Sequence, residues 1–336
     1  VPRARSTTTV AAVLVAGCLG LSACAGSAGG PDAPPVDLRI GVAYDTGGRG
    51  DEAFREGAVD GARSAAADLG GDVEVLSPEG DADGEAMLTR LAAAGFNPVI
   101  AVGFDDRRGV AEVAADHPET EFAILDVPVT GLGAGNLTGL VFAEEEGGFL
   151  AGVAAGAKSV NGHVGFIGDR PAGGLGAAFV AGATAVDPGV VVDTHHLPSG
   201  TSGPAESEAA AQEMYRAGAD IVFSAGEGSG EGVVRAAVGA GQRAIGAHSD
   251  QYLDGSPEQQ AVLMTSVLTR ADVAVEAYVT AFADGSLQPG TDMVQDLSTG
   301  GVELSHSGGA LDDIRTVLDH YRQQIAAGGI EVPDVP

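Results

Sequence analysis

Leu38-Arg39-Ile40-Gly41-Val42-Ala43-Tyr44-Asp45-Thr46-Gly47-Gly48, followed at once by Asp51-Glu52-Ala53-Phe54, is the stretch on which the fold turns. Its first seven residues are a β-rich run without proline, the pattern of a strand, and the glycines after Asp45 break it. From Asp51 the period becomes helical. Phe54, Ala58, Ala62, Ala65 and Leu69 recur at three- and four-residue spacing, so they share one face of a helix over 51–70. A second β-rich run follows at 73–76. Strand, helix and strand in this order imply parallel strands joined by a right-handed crossover.

Outward from this unit the alternation continues, with strands expected at 99–103 and 122–126 and helices at 84–94 and 107–117. A second run of the same kind starts with a strand at 163–168. It proceeds through helix 175–185, strand 190–194, helix 205–217, strand 221–225, helix 230–240 and strand 244–247, and reads as a structural repeat of the first. The tail holds a strand at 262–266, a helix at 271–283, short strands at 293–297 and 302–304, and a closing helix at 311–327. These are too few for a third domain. The expected architecture is α/β, with two doubly wound parallel-sheet domains joined by a multi-strand hinge. Domain one is expected at 37–140 and 250–287, and domain two at 141–249 and 288–336. Crossovers are expected near 140–146, 246–260 and 285–292, and a hinge of this kind closes on a ligand.

The residues before this body read as an address. Arg3 and Arg5 precede an uncharged run from Val10 to Leu21, too short to span a bilayer as a helix, and Leu21-Ser22-Ala23-Cys24 follows. Residues 1–23 are therefore expected to be a signal peptide, with Cys24 as the acylated mature end. Val15-Ala16-Gly17-Cys18 is a weaker match to the same pattern. Residues 24–36, rich in glycine and proline, read as a flexible tether. The chain has two cysteines, Cys18 and Cys24. Processing at Cys24 leaves no free thiol for disulfides, zinc ligation or thiol catalysis.

Across 336 residues there are 17 Lys and Arg against 47 Asp and Glu, a formal net charge of −30. Such a surface repels nucleic acid, and no basic patch offsets it. Enzyme patterns fail on spacing. Gly152 to Ser159 imitates a phosphate-binding loop with the wrong interval, and Gly226-Glu227-Gly228-Ser229-Gly230 is not a nucleophile elbow. His195 and His196, adjacent on a strand, point to opposite faces and make no metal pair. No catalytic residue, metal or cofactor is expected.

Asp45-Thr46-Gly47-Gly48 with Asp51-Glu52-Ala53-Phe54 resembles the signature of the basic membrane protein family, nucleoside-binding lipoproteins of the type I periplasmic-binding fold. Further matches keep their order through the chain. They include Val102-Gly103-Phe104, Phe122 to Asp126, Gly139-Leu140-Val141-Phe142 with Glu146-Gly147, Val164 to Gly168, Ser249-Asp250-Gln251 and Gly300-Gly301-Val302. The resemblance covers roughly residues 38–333. It implies a lipid-anchored binding protein on the extracytoplasmic face of the cell membrane, delivering a nucleoside-like ligand to an ABC permease. The anchor is its only membrane contact, and a monomer is expected. The alternative is a degenerate member acting as a surface sensor.

In open parallel sheets ligands sit beyond the carboxyl ends of the strands, where Asp45, Phe104, Asp126, Gly226 and His248 fall. By the resemblance, Asp45 and Asp126 accept from a purine edge, Phe54 stacks on the base, and Gly226 lets a sugar approach the backbone. Asp51 has a plainer reading as a charge favouring a helix N-terminus, and Phe54 as a core residue of its helix. The chain also departs from the family. Arg55 replaces an asparagine, His248 an aspartate of the ribose site and Thr269 a lysine. Glu227 stands in a normally small turn, and residues 198–206 lack a second stacking aromatic. Arg55 brings a cation beside Phe54 for Asp51 or an anionic ligand group. His248 and Thr269 leave the sugar half of the site more altered than the base half.

Overall fold

Both halves of the chain wind into a six-stranded sheet, and the strand order is the same in each. The computed structural model describes residues 38–45, 52–78, 84–168, 174–197, 203–226 and 228–334, all within one compact unit. The leader, Cys18, Cys24, the tether, Asp51 and Glu227 lie outside the described residues. In chain order the strands are β1 (Arg39–Tyr44), β2 (Asp72–Leu76), β3 (Val99–Val102), β4 (Phe122–Leu125), β5 (Leu137–Phe142) and β6 (His163–Gly168). They continue as β7 (Val191–His196), β8 (Ile221–Ser224), β9 (Arg243–His248), β10 (Leu263–Thr269), β11 (Asp292–Gln295) and β12 (Val302–Leu304). The first sheet runs β11-β5-β4-β3-β1-β2 and the second β12-β10-β9-β8-β6-β7. Every pairing is parallel except β12 with β10. The repeat expected from the sequence is therefore present strand for strand, and it differs in the polarity of one edge.

The helices are α1 (Glu52–Leu69), α2 (Gly84–Ala93), α3 (Arg107–Asp116), α4 (Glu144–Lys158), α5 (Gly174–Val186), α6 (Pro204–Ala217) and α7 (Gly230–Ala240). After two single turns, α8 (Gln251–Asp254) and α9 (Pro257–Gln260), come α10 (Ala271–Asp284) and α11 (Arg315–Ala326). Alternation along β1 shows how both sheet faces are covered. Ile40 and Val42 pack with Ala58 and Ala62 of α1 and Val275 and Tyr278 of α10. Ala43, from the opposite face, packs with Leu88 and Leu91 of α2 and Val110 of α3. In the second lobe Phe166 and Phe223 meet Phe149, Phe179 and Leu318 of α4, α5 and α11, while Val222 meets Met214 and Val233 of α6 and α7. On α1, Ala58, Ala62 and Ala65 are buried as their spacing predicts; Leu69 is exposed. No helix among the described residues is long and apolar enough to cross a membrane.

Two passages between the lobes fall later than the sequence suggests. The first is at Ala143, between β5 and α4. The second was expected near 246–260, but β10 still belongs to the second sheet, and the chain leaves it only at Arg270 to place α10 against α1. The third was expected near 285–292, but β11 completes the first sheet and the return comes between Gln295 and Val302. The cause is register: β10 pairs with β9 from Leu263 to Leu268, and that hydrophobic run could only be buried beside its parallel neighbour.

Apart from the single turns α8 and α9, the helices and strands named above that are absent from the sequence reading are β5 and α4, which flank the first passage. Gly147, Gly148, Gly152 and Gly156 lower the helix propensity of α4 and hide it. Packing explains them. A Cβ on Gly152 would collide with the Phe179 carbonyl of α5, and one on Gly182 of α5 with the Phe149 carbonyl of α4. The two helix backbones approach more closely than side chains allow, and only glycine permits that.

Candidate ligand-binding cleft

The strand ends bring the sequence-selected residues to two facing surfaces. Asp45 follows β1 and Asp126 follows β4; His248 and Thr269 are the last residues of β9 and β10. Asp126 (φ 58°) and His248 (φ 70°) are the non-glycine residues with positive φ among the described residues. Such a conformation costs on the order of 1–3 kcal/mol and is held only where the surroundings impose it. At Asp126 part of that constraint is visible: its N–H donates to the Leu140 carbonyl at 2.8 Å.

A cavity of about 310 Å³ takes one wall from each lobe. Ala53, Phe54 and Gly57 of α1 face His248, Ser249 and Thr269 across it. Phe54 is half-buried and meets Phe142, the last residue of β5, edge to face, with centroids 6.0 Å apart and an interplanar angle of 70°. Across the cavity the Thr269 hydroxyl donates to Glu144 Oε1 at 3.1 Å, and His248 Nδ1 lies 3.9 Å from the same oxygen. His248 Nε2 is buried without a hydrogen bond among the described residues. The site therefore offers an aromatic surface on one side and an imidazole, a hydroxyl and a carboxylate on the other.

Phe142 and Glu144 also line a second cavity of about 310 Å³, with Glu145, Phe166, Leu175, Ala225 and Asp334. Burial pushes the Glu145 carboxyl above its ordinary value. A backbone hydrogen bond opposes this, and the neighbouring Asp334, Glu146 and Glu144 add to it. Burial also raises Glu146, although its Oε2 accepts from the Leu297 N–H at 3.0 Å.

That last bond belongs to a set that straps the passages together. Ala143 N–H donates to the Gln295 carbonyl at 2.8 Å, joining the first passage to the third. Arg270 N–H donates to the Gly301 carbonyl at 2.8 Å, joining the second to the third. The Arg270 guanidinium grips Asp272 through two bonds of 2.8 and 2.7 Å and also reaches Glu303. Burial alone would lift the Asp272 carboxyl, but the Arg270 contacts outweigh it and hold the group below its ordinary value.

The sequence-selected residues do not form one cluster. Phe54, His248 and Thr269 share the first cavity. Asp45 and Phe104 sit together, since a Cβ on Gly84 would touch both. Phe104, only 4 % exposed, is packed into the core of the first lobe with α2 and α3. Arg55 lines a separate cavity with Tyr44, Asp60 and Arg63, and its carbonyl accepts from the Tyr44 hydroxyl at 3.0 Å. The Gly226 carbonyl accepts from the Ser229 hydroxyl at 2.6 Å, which closes the turn after β8. Sequence reasoning missed Glu144, Glu145, Phe166 and Asp334. The available signal was Glu144-Glu145-Glu146, three consecutive acids at a junction between lobes.

Two parallel-sheet lobes, strapped by three passages and facing each other across a cleft at their strand ends, define a solute-binding protein of the type I periplasmic-binding fold. The chain matches the family described as PnrA-like ABC transporter substrate-binding proteins over residues 39–335, and it belongs to that family. It is 27% identical over 349 residues to a CD4+ T-cell-stimulating antigen of Listeria innocua, covering 96% of this chain and 97% of the relative. It is 24% identical over 318 residues to the ABC transporter nucleoside-binding protein BmpA of Lactococcus lactis subsp. cremoris, covering 89% and 90%. Among solved structures, an ABC transporter solute-binding protein from Conexibacter woesei superposes with a TM-score of 0.70 at 21% identity, covering 88% of this chain and 99% of that one.

Proposed function

We propose that the cleft binds a nucleoside or a related small polar heterocycle and presents it to an ABC permease. The observation that carries this reading is the composition of the first cavity: the Phe54 ring stands opposite His248 and Thr269. An aromatic face buries a flat base, and polar side chains opposite it take sugar hydroxyls. In this reading Asp45 and Asp126 accept hydrogen bonds from the base edge. Arg55 and Phe104 do not line the first cavity: Arg55 lines a separate one, and Phe104 is packed in the core of the first lobe. The nucleoside-binding relative in Lactococcus lactis is in keeping with this assignment. The protein is read as a monomeric binder and not an enzyme, held by acylated Cys24 on the outer face of the cell membrane. Cys24→Ala should release it to the medium or leave it unprocessed.

Calorimetry with adenosine, guanosine, inosine and the free bases tests the ligand. At least one nucleoside should bind, and Asp126→Ala should weaken it by about tenfold or more, the loss expected for a hydrogen bond to a charged group. If no nucleoside binds, or if Asp126→Ala leaves binding untouched, the nucleoside assignment is wrong.

A further inference from the structure

We propose that Glu144 sets the charge selectivity of this cleft: its carboxylate accepts a hydroxyl or amine donor from the sugar end of the ligand and rejects ligands that carry a phosphate there. The proposal rests on the nucleoside reading above.

Glu144 opens α4 immediately after the first passage and stands where the two cavities meet. It lines the second cavity, and through Oε1 it is bonded to Thr269 and faces His248 in the first. Phe142 makes the same connection, lining the second cavity while its ring packs on Phe54. A base held against Phe54 therefore directs its substituent toward Glu144. Thr269 and His248 both approach one carboxylate oxygen, Oε1, and the side chain is 33% exposed, so the carboxylate is within reach of a ligand donor.

The surroundings decide the sign of the selectivity. On the far side of Glu144 the second cavity presents Glu145 and Asp334, and its described lining has no basic side chain. On the near side the first cavity is lined by Arg270 together with Glu56, Asp60, Asp250 and Asp272. Arg270 is already engaged by Asp272 and Glu303. His248 stands against Glu144 itself. A phosphate entering here gives up its hydration and meets the carboxylates of Glu144, Glu145 and Asp334 among the described residues, which is strongly unfavourable. A hydroxyl or amine meets an acceptor.

The test is calorimetry of the intact chain with each nucleoside and its 5′-monophosphate, for wild type, Glu144→Gln and Glu144→Asp, with thermal melts to confirm folding. Wild type should prefer the nucleoside by at least about a hundredfold. Glu144→Gln should weaken the nucleoside by about tenfold and reduce the preference over the monophosphate by a similar factor. Glu144→Asp, which keeps the charge, should retain the rejection of the monophosphate. Nucleoside binding with an unchanged preference in Glu144→Gln would overturn the role of Glu144 while leaving the nucleoside reading intact. A wild type that binds no nucleoside would overturn both.

Discussion

Asp126 and His248 occupy corresponding places in the two lobes. Each stands at the carboxyl end of the fourth strand from the β2 or β7 edge, and each is held in left-handed backbone, at φ 58° and 70°. Two equivalent residues strained in the same sense, both at strand ends, fit the binding role proposed for them, in which backbone strain is tolerated for the sake of the site.

Replacing either residue with glycine should relieve that strain. We expect Asp126→Gly and His248→Gly to be no less stable than wild type in urea melts, while ligand affinity falls. Asp126→Val, which places a β-branched side chain at positive φ, should lose about 1–3 kcal/mol. A destabilising Asp126→Gly would show that the side chain contributes more to the fold than its backbone geometry costs.

Arg270 is the electrostatic tie between passages. Arg270→Met should destabilise the protein by about 1–2 kcal/mol at neutral pH, a figure discounted because the pair is more than a third exposed. Because Asp272 titrates below its ordinary value in the folded state, its stabilisation is present above the ordinary aspartate value of 3.8 and is lost as pH falls through the lower folded value. Urea midpoints of wild type and Arg270→Met should therefore converge on acidification below about pH 4. A gap that stays constant with pH would assign the effect to packing.

Glu145 has the opposite sign. Its carboxyl is raised from an ordinary value of 4.5, chiefly by burial, so the ionised form is less favourable folded than unfolded. Glu145→Gln should raise stability at pH 7. The advantage should shrink as pH falls through the raised folded value and vanish below 4.5, where the wild-type side chain is protonated in both states. Equal melting temperatures at pH 7 would contradict this.

Close contact between α4 and α5 predicts an unusual cost for one methyl group. Gly152→Ala normally favours a helix, yet here the added Cβ strikes the Phe179 carbonyl. We expect a loss of about 1–3 kcal/mol, the range for overpacking, read from the urea midpoint. A neutral or stabilising result would mean that the two helices separate without penalty.

Much of this was legible along the chain because it is local. The strand over Arg39–Tyr44 and the helical face of Ala58, Ala62 and Ala65 follow from period and composition, and the repeat follows from their recurrence. Asp126 and His248 could be selected because strand ends are predictable and parallel sheets place ligands there. Their left-handed backbone could not, since nothing in an Asp or a His announces its φ. The glycines of α4 argued against the helix they allow, because propensity counts the residue and not the neighbour it lets in.

The sequence by itself determined two doubly wound parallel sheets, their repeat, and the strand ends at which a ligand would be met, because these depend on alternation within short windows. Tertiary structure alone decided which lobe owns β10 and β11, since strand pairing is a long-range choice made by register and burial. It also decided which candidates meet. Phe54 came to His248 and Thr269, while Arg55, one residue further along the same helix, turned into a different cavity. Consecutive helical residues diverge by about 100° around the axis, and only the packing of α1 set which of the two would face the cleft.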